Sequence, residues 1–215
     1  MIIAVDGPAA SGKGTLASGL ARHYRLPYLD TGLLYRAVGR AVEAYENSDE
    51  FEERAIAAAM TLDEGDIDPE FLLSAKIGTL ASKVAVIGAV RRALFDYQRD
   101  FATQDSGAVL DGRDIGTVIC PEADVKLFIQ ADSKSRMERR ARQLEARGQA
   151  VDRYALYHQI EERDARDMAN PNGGFYKADD AHLLDTTLLD IEAALRAAIA
   201  IVDGTMARKA ELQKF

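Results

Sequence analysis

The sequence predicts an α/β fold in which a parallel five-stranded sheet lies between two layers of helices. A short apolar run, Ile2 to Val5, is followed by a glycine-rich loop and then by apolar residues at helical spacing. Further apolar runs of strand length recur along the chain, and stretches with helical spacing separate them. Strands that alternate with helices pair in parallel through right-handed crossovers. We therefore expect a doubly wound sheet whose ligands bind beyond the carboxyl ends of the strands.

The loop after the first predicted strand has the pattern Gly-x-x-x-x-Gly-Lys, which is typical of phosphate binding. Its glycines let consecutive backbone N–H groups turn toward phosphate oxygens. The helix that begins near Gly12 adds the positive end of its dipole, and Lys13 adds a charge that can reach the β- and γ-phosphates. The next residue is Gly14, so the hydroxyl comes one place later, at Thr15, which we expect to contact phosphate or a magnesium-bound water. A tight turn without a ligand is the alternative, but it does not require Gly-Lys-Gly-Thr between a strand and a helix.

The next part of the chain predicts a short strand, a helix and an insertion. The strand covers Pro27 to Leu29, and Asp30-Thr31-Gly32 then begins a helix that continues to about Ala44. Residues 46–68 contain acidic clusters around an alanine-rich helical stretch, which we interpret as an insertion. From residue 69 to about 103 the apolar spacing is helical, with an interruption near residues 87–88, and no alternating strand pair is evident.

The remaining elements alternate in the same way. Three further strands are predicted, at Ala108–Leu110, Val125–Ile129 and Leu183–Asp185. Between residues 133 and 167 lies a charged hairpin of two helices that turns at Gly148, and residues 170–174, Asn-Pro-Asn-Gly-Gly, break the second helix. Thr187 and Asp190 predict a capping box for a closing helix. The polar end, residues 203–215, is expected to fray.

Length, charge and cysteine content restrict the function. The 215 residues suit one domain with an insertion, and 27 Lys and Arg against 35 Asp and Glu give a net charge of −8. A negative surface repels polyanions, which favours a small phosphorylated ligand over nucleic acid. Cys120 is the only cysteine, so an internal disulfide is excluded, and we expect it to be a small buried hydrophobe. No signal-peptide pattern and no run of about 18 apolar residues occurs, so we expect a cytosolic protein without a membrane span.

Arginines are concentrated where the predicted site lies. Arg36 is in the first turns of the second helix and Arg113 follows the third strand, while Arg163 shares a helix face with two neighbours of the hairpin. Arginine binds phosphate oxygens through its planar fork, and transfer between two phosphorylated molecules needs several such groups. A solvated surface with interleaved lysine and glutamate is the alternative, and it stays open for Arg139 and Arg142.

Four motifs together resemble bacterial cytidylate kinase, a P-loop nucleoside monophosphate kinase family. They are Gly7-Pro8-Ala9-Ala10-Ser11-Gly12-Lys13-Gly14-Thr15, Leu29-Asp30-Thr31-Gly32-x-x-Tyr35-Arg36, Asp111-Gly112-Arg113-Asp114-Ile115-Gly116-Thr117-Val118 and Glu162-Arg163-Asp164-x-x-Asp167. The resemblance extends from Met1 to about Val202, and the Asp-Gly-Arg-Asp-x-Gly-Thr segment separates this family from adenylate, shikimate and dephospho-coenzyme A kinases.

The resemblance implies a reaction and a set of roles. The family transfers the γ-phosphate of ATP to CMP or dCMP with Mg²⁺, in a three-layer αβα P-loop NTPase fold. By similarity, the loop from Gly7 to Thr15 holds the ATP phosphates, and Lys13, Arg113 and Arg163 act in catalysis. Thr31, Arg36, Arg113 and Arg163 would hold the phosphate and sugar of CMP, with Asp167 on the ribose. Ser82, Arg91 and Asp114 would recognise the cytosine, and Arg136 and Arg140 resemble arginines of a lid over ATP. No residue is expected to ligate a metal directly.

Two departures from the family affect the acceptor side. An arginine often stands in the family where this chain has Asn170, and the family's insertion contains a small antiparallel sheet, whereas residues 61–83 here predict helix. We therefore expect a single domain, 1–215, with a reduced, mainly helical nucleotide-binding insertion at about 37–104 and a helical lid at about 133–170. The resemblance also implies a monomer. The rival functions are a kinase for UMP or another monophosphate, and a non-catalytic nucleotide-binding switch.

Overall fold

A computed structural model of the chain describes residues 1–170, 172–173, 175–212 and 214. Within these residues five strands form one parallel sheet. They are β1 (Ile2–Asp6), β2 (Tyr28–Asp30), β3 (Ala108–Gly112), β4 (Val125–Gln130) and β5 (His182–Asp185). Their spatial order is β2-β3-β1-β4-β5, so β1 lies at the centre and its carboxyl end leads into the glycine-rich loop.

Helices cover both faces of the sheet, which confirms the predicted three-layer fold. The helices are α1 (Lys13–Tyr24), α2 (Thr31–Ala41), α3 (Phe51–Met60), α4 (Pro69–Leu72), α5 (Ala75–Val84), α6 (Gly88–Thr103), α7 (Ser133–Glu145), α8 (Arg153–Met168) and α9 (Ile191–Leu212). Side chains of β1 alternate between the two cores: Ile3 and Val5 pack with α1 and α9, whereas Ala4 packs with α2, α3 and α6. The buried Cys120 belongs to the second of these cores, as expected.

Between residues 61 and 83 the structure places helices joined by short turns and connecting segments, and no strand, in agreement with the helical prediction. Ser74 caps α5 by accepting a hydrogen bond from the N–H of Ile77 at 3.2 Å. Helices α2 and α5 approach closely at Gly39, where an added Cβ atom would lie 2.9 Å from the backbone nitrogen of Ala81. This close packing fixes the insertion against the helix that carries Arg36.

The charged hairpin forms its own small core. Met137 and Ala141 of α7 are buried against Leu156 and Ile160 of α8, and the turn contains Gly148 at φ +75°. Helix α8 ends at Met168, as the predicted helix break requires. Two residues of that break, 171 and 174, lie outside the described residues.

Two expectations for the C-terminal part are wrong. Asp190, and not Thr187, makes the capping contact of α9, since its Oδ1 atom accepts a hydrogen bond from the N–H of Ala193 at 2.7 Å. The segment after residue 202 does not fray at once, because α9 continues to Leu212. A contact with α1 stabilises it: the Tyr24 hydroxyl donates to Asp203 at 2.7 Å. Residues 213 and 215 of the predicted tail lie outside the described residues. In the part of the chain that the structure describes, no helix has the length and apolar character to cross a membrane.

Candidate active site

The glycine-rich loop connects β1 to α1 in a conformation that its small residues permit. A Cβ atom on Gly7 would lie 2.2 Å from the carbonyl oxygen of Ile129, so no larger residue fits there without a shift of backbone. Gly12 has φ +90° and immediately precedes α1, and Ala10 also lies in the left-handed region at φ +59°. The first N–H groups of α1 have no partner within the helix, so the end of the loop offers donors to an anion.

Three side chains hold this loop from outside through its carbonyl oxygens. Arg136 donates from Nη1 to the carbonyl of Ala9 at 3.2 Å, and Arg139 donates from Nη1 to the carbonyl of Ser11 at 3.1 Å. The Thr186 hydroxyl donates to the same Ser11 carbonyl at 3.0 Å. Because these contacts use carbonyl oxygens, they fix the shape of the loop and leave its N–H groups for a ligand.

Arg139 and Arg142, for which a solvated surface was the alternative interpretation, lie in different environments in the structure. Arg139 contacts the loop, whereas Arg142 is exposed, in agreement with the surface interpretation. Arg136 is 4 % exposed and pairs with Asp164 at 2.5 Å, so it links the two hairpin helices as well as the loop. Thr186 was not identified from the sequence, although it directly follows the carboxyl end of β5, where ligands of such sheets bind.

Lys13 lies beside a buried carboxylate at the end of β3. Its Nζ atom is 3.9 Å from Oδ2 of Asp111, and the same oxygen would be 3.1 Å from a Cβ atom on Gly14. Burial raises the pKa of Asp111, an effect that Lys13 opposes and Asp30 increases. Burial also disfavours the charged form of Lys13 and so lowers the pKa of this lysine, and Arg113 lowers it further. The Oδ1 atom of Asp111 is buried and has no hydrogen-bond partner in the described residues.

Three predicted arginines lie close enough to interact through their charges. Burial and then Arg113 lower the pKa of Arg163, to about 10, and Arg36 contributes to the same shift. The pKa of Arg36 is lowered by burial, with Arg140 and Arg113 adding to the effect. Arg113 and Arg163 also lower the pKa of Lys13. These five cations, which we call the cation cluster, therefore meet at the carboxyl edge of the sheet: Lys13, Arg36, Arg113, Arg140 and Arg163.

Asp167 is the carboxylate nearest to two members of the cluster. Arg113 donates from Nε to Oδ2 of Asp167 at 2.8 Å, and Nε of Arg163 lies 4.0 Å from the same oxygen. The Nε atom of Arg163 is buried without a hydrogen-bond partner in the described residues. Arg36 is held differently, since its Nη1 atom donates to the carbonyl of Leu72 at 2.7 Å. The cluster thus retains unsatisfied donors, which an anion would satisfy.

The residues predicted to recognise cytosine lie on three different elements. Arg91 of α6 forms an ion pair and hydrogen bond with Asp114, which follows β3, and its guanidinium lies 5.8 Å from the ring centroid of Tyr35. Ser82 of α5 is 7 % exposed, and its hydroxyl has no hydrogen-bond partner in the described residues. A cavity of about 200 Å³ adjoins this region. Its lining includes Tyr35, Gly88, Arg91, Phe95, Val118 and Asn172.

Asp6 has a positioning contact that the sequence did not suggest. It is 6 % exposed, and its two carboxylate oxygens accept hydrogen bonds from the N–H groups of Ile115 and Gly116, both at 2.8 Å. These bonds hold the π-helical turn, residues 115–119, that begins directly after Asp114. Burial raises the pKa of Asp6 to about 6, against the lowering effect of the two hydrogen bonds.

The two predicted threonines occupy different environments. Thr31 is 3 % exposed, and its hydroxyl donates to the carbonyl of Asp111 at 2.8 Å. Thr15 is exposed on the first turn of α1. A cleft of about 550 Å³ that the sequence did not predict follows the carboxyl end of β5. It is lined by Asp132, Asp185, Thr187, Leu188 and Leu189.

A phosphate loop beside a cluster of arginines is an arrangement for bringing two phosphorylated molecules together, and it defines the class of P-loop small-molecule kinases. Sequence comparison narrows this class. The profile of the family described as "Cytidylate kinase" matches residues 3–203. The chain belongs to the cytidylate kinase family.

Curated relatives match over nearly the full length. A cytidylate kinase of Xanthobacter autotrophicus is 54% identical over 207 residues, which cover 96% of this chain and 99% of the relative. A cytidylate kinase of Methylocella silvestris is 53% identical over 204 residues, covering 95% and 94% of the two chains. The crystal structure of an uncharacterized protein from Eubacterium ventriosum is similar in fold alone, with a TM-score of 0.54 and 16% identity, covering 94% of this chain and 98% of that one.

Proposed function

We propose that this protein transfers the γ-phosphoryl group of ATP to CMP or dCMP, giving ADP and CDP or dCDP. Membership in the cytidylate kinase family supports the reaction. The observation that carries the proposal is the cation cluster: Nε of Arg113 and Nε of Arg163 lie 2.8 Å and 4.0 Å from the same oxygen of Asp167, and both arginines lower the pKa of Lys13. A nucleotide-binding switch needs only the loop and a mobile segment, whereas a kinase also needs cations for the acceptor phosphate.

On the donor side, the loop from Gly7 to Thr15 holds the ATP phosphates, and Lys13 neutralises charge on the transferred group. Arg140 faces the cluster from the hairpin, which we propose is the lid at about 133–170. Arg136 acts there by fixing the loop, because its donors are used by Ala131, Ala9, Ser133 and Asp164. The cleft after β5 adjoins the loop through Thr186 and presents Leu188, which is 94% exposed, as an apolar surface for the base of ATP.

On the acceptor side, Arg36, Arg113 and Arg163 hold the phosphate of CMP, with Thr31 at the edge of the sheet and Asp167 near the ribose. The free hydroxyl of Ser82 and the Arg91–Asp114 pair supply groups that match cytosine: a carboxylate accepts from its amino group, and hydroxyl or guanidinium groups donate to its carbonyl and N3. Residues 37–104 form the nucleotide-binding insertion in this proposal. Asn170 replaces an arginine that the family often has, so the acceptor relies on the remaining arginines.

The chemistry requires no protein base, since the attacking oxygen of CMP is already an anion. Catalysis consists of placing that oxygen in line with the γ-phosphorus and stabilising charge on the phosphoryl oxygens. Lys13, Arg113 and Arg163 supply that stabilisation. Their burial strengthens it, because water screens charges less in a desolvated site.

The residues present fit a bound Mg²⁺. Asp111 has a buried oxygen without a hydrogen-bond partner beside the loop, and Asp30 lies close enough to affect its pKa. Among the described residues no group of three acidic, histidine or cysteine side chains could hold an ion alone. Mg²⁺ does not require such a group, since it takes one or two carboxylates and completes its coordination with phosphate oxygens and water. Asp111 would hold the ion through its bound water, in line with the expectation that no residue ligates a metal directly, and the ion would supply charge neutralisation at the phosphates.

We further propose that the enzyme is a cytoplasmic monomer with no nucleic-acid or membrane partner. The net charge of −8 opposes binding to polyanions, and a single buried cysteine suits a reducing compartment.

The test measures ATP-dependent release of ADP with a panel of nucleoside monophosphates. Stimulation by CMP and dCMP, with little by UMP, AMP or GMP, is expected. Arg163→Met, which removes one cluster charge at similar length, should abolish most of the stimulation, while Arg142→Met, at the exposed hairpin position, should not. Equal stimulation by UMP favours the broader kinase, and ATP binding without stimulated turnover favours the switch.

A further inference from the structure

The segment between α8 and β5 contacts two of the arginines on the acceptor side, Arg91 and Arg113. A Cβ atom on Gly173 would lie 2.5 Å from Cζ of Arg91, so the backbone of the segment passes directly against that guanidinium. Two residues later, the Phe175 ring lies beside Arg113, with its centroid 5.9 Å from Cζ. None of the four motifs that carry the family resemblance includes these two positions.

Two asparagines anchor this segment to the insertion. Asn170 donates from Nδ2 to the carbonyl of Ala85 at 3.0 Å, and Asn172 donates from Nδ2 to the carbonyl of Val86 at 2.8 Å. Both carbonyls belong to the turn between α5 and α6, which carry Ser82 and Arg91. The position of the segment is therefore tied to the elements that form the acceptor side.

Phe175 is supported from the sheet. Its ring lies 5.6 Å from that of Phe128, centroid to centroid, at an interplanar angle of 34°. Phe128 is on β4, next to the central strand, so the ring of Phe175 has a rigid base on one side and Arg113 on the other. A guanidinium over an aromatic face is attracted by the electrons of the ring, most strongly where water is partly excluded. The side chain of Arg113 is 22% exposed.

The remaining contacts of Arg113 show what this support achieves. An arginine has five N–H donors. One on Nε donates to Asp167 and one on Nη1 donates to the carbonyl of Gly112, so three remain for a phosphate among the described residues. Asp167 and Gly112 constrain the guanidinium within its own plane, and Phe175 constrains it from one face.

We propose that Phe175 is a positioning residue for phosphoryl transfer: it holds the Arg113 guanidinium in the orientation that binds the acceptor phosphate. This inference rests on the proposed function, in which Arg113 contacts that phosphate. Phe175 itself contacts neither substrate. Its effect should therefore appear in the kinetics of CMP and should depend on the presence of Arg113.

The experiment compares Phe175→Ala, Phe175→Leu and Phe175→Tyr by steady-state kinetics, with Tyr176→Ala as the control for a neighbouring exposed ring. Phe175→Ala should lower kcat/KM for CMP by about 3- to 30-fold, the range of a partly buried cation–π contact. The KM for ATP should change by less than about twofold, because the lost cation–π contact positions an arginine of the acceptor side. Phe175→Tyr keeps the aromatic face and should keep kcat/KM for CMP near the wild-type value. Phe175→Leu keeps the apolar packing on Phe128 but lacks the aromatic face, so it should lower kcat/KM for CMP as Phe175→Ala does.

A double-mutant cycle with Arg113→Gln separates positioning from structure. In the Arg113→Gln enzyme, Phe175→Ala should have almost no further effect on kcat/KM for CMP, because the group it positions is gone. An equal effect in both backgrounds, or wild-type kcat/KM in Phe175→Ala or Phe175→Leu, overturns the inference. Phe175→Leu decides the matter if Phe175→Ala does not fold. Wild-type enzyme without CMP-stimulated turnover refutes the proposed function instead, so the two failures are distinguishable.

Discussion

Replacing Asp6 by asparagine tests how the chain holds the turn after β3. The carboxylate accepts two N–H hydrogen bonds at 2.8 Å, whereas an amide has one acceptor oxygen and places an NH₂ group against the second N–H. Burial raises the pKa of Asp6 from its ordinary value of 3.8 to about 6. The folded protein therefore binds a proton at Asp6 more tightly than the unfolded chain does, and asparagine removes this difference.

The magnitude follows from proton linkage. Because the folded pKa exceeds the unfolded one, the contribution of Asp6 to the free energy of unfolding is greatest below the unfolded value and decreases as pH rises through the folded value. At about 1.4 kcal/mol per pH unit between the two values, the full change is about 3 kcal/mol. Between about pH 4.5 and about pH 7.5, the same relation gives a decrease of about 2 kcal/mol.

The assay is urea unfolding of wild type and Asp6→Asn across this pH range, followed by far-ultraviolet circular dichroism and by tyrosine emission, since the chain has no tryptophan. Wild type and Asp6→Asn share all other titrating groups, so the difference between their free energies of unfolding isolates the contribution of Asp6. We expect wild type to gain about 2 kcal/mol relative to the variant as pH falls across the range. Parallel pH profiles, or a relative gain toward neutral pH, would refute the argument.

Three further predictions concern the loop and the acceptor side. Lys13→Ala should lower kcat by ~10³ or more, the effect of losing a transition-state cation, and turnover within a few-fold of wild type contradicts its role. Asp114→Ala should reduce kcat/KM for CMP by about 5- to 150-fold, equivalent to ~1–3 kcal/mol for an unpaired amino group, and should affect ATP much less; equal losses for both substrates count against it. Gly7→Ala should destabilise the fold by about 1–3 kcal/mol in thermal unfolding, since its methyl group meets the Ile129 carbonyl. Gly204→Ala, with no atom within 4 Å, is the matched control and should be neutral or stabilising.

The sheet and the donor loop could be predicted because their patterns are local. Apolar runs mark all five strands, and the loop motif places Lys13 at the start of α1. Asp30 was predicted to begin α2, and its side chain accepts the N–H of Gly32 as a cap. The four motifs also identified the family correctly.

Contacts between distant segments could not be predicted in this way. Asp6 bonds to residues 115 and 116, and Arg139 bonds to Ser11, across more than 100 positions of sequence. Polarity predicts that the chain frays from residue 203, whereas Asp203 and Lys209 bond to Tyr24 and Asp124 of other elements and α9 continues to Leu212. Phe175 stacks on Arg113 only because the chain after α8 returns to the sheet edge, which no local pattern indicates.

The charges of the cation cluster fit the acceptor phosphate of the proposed reaction. Arg113 and Lys13 each have a carboxylate partner, Asp167 and Asp111, and these pairs reduce the cost of gathering cations in one place. The pairing is incomplete for Arg163: its Nε atom has no hydrogen-bond partner in the described residues, and burial with neighbouring arginines lowers its pKa to about 10. Arg163 therefore stays charged at neutral pH, although its burial and the neighbouring arginines disfavour that charge. In the proposed reaction a dianionic acceptor phosphate would relieve that repulsion, so the charges that repel one another within the cluster would favour binding of the substrate.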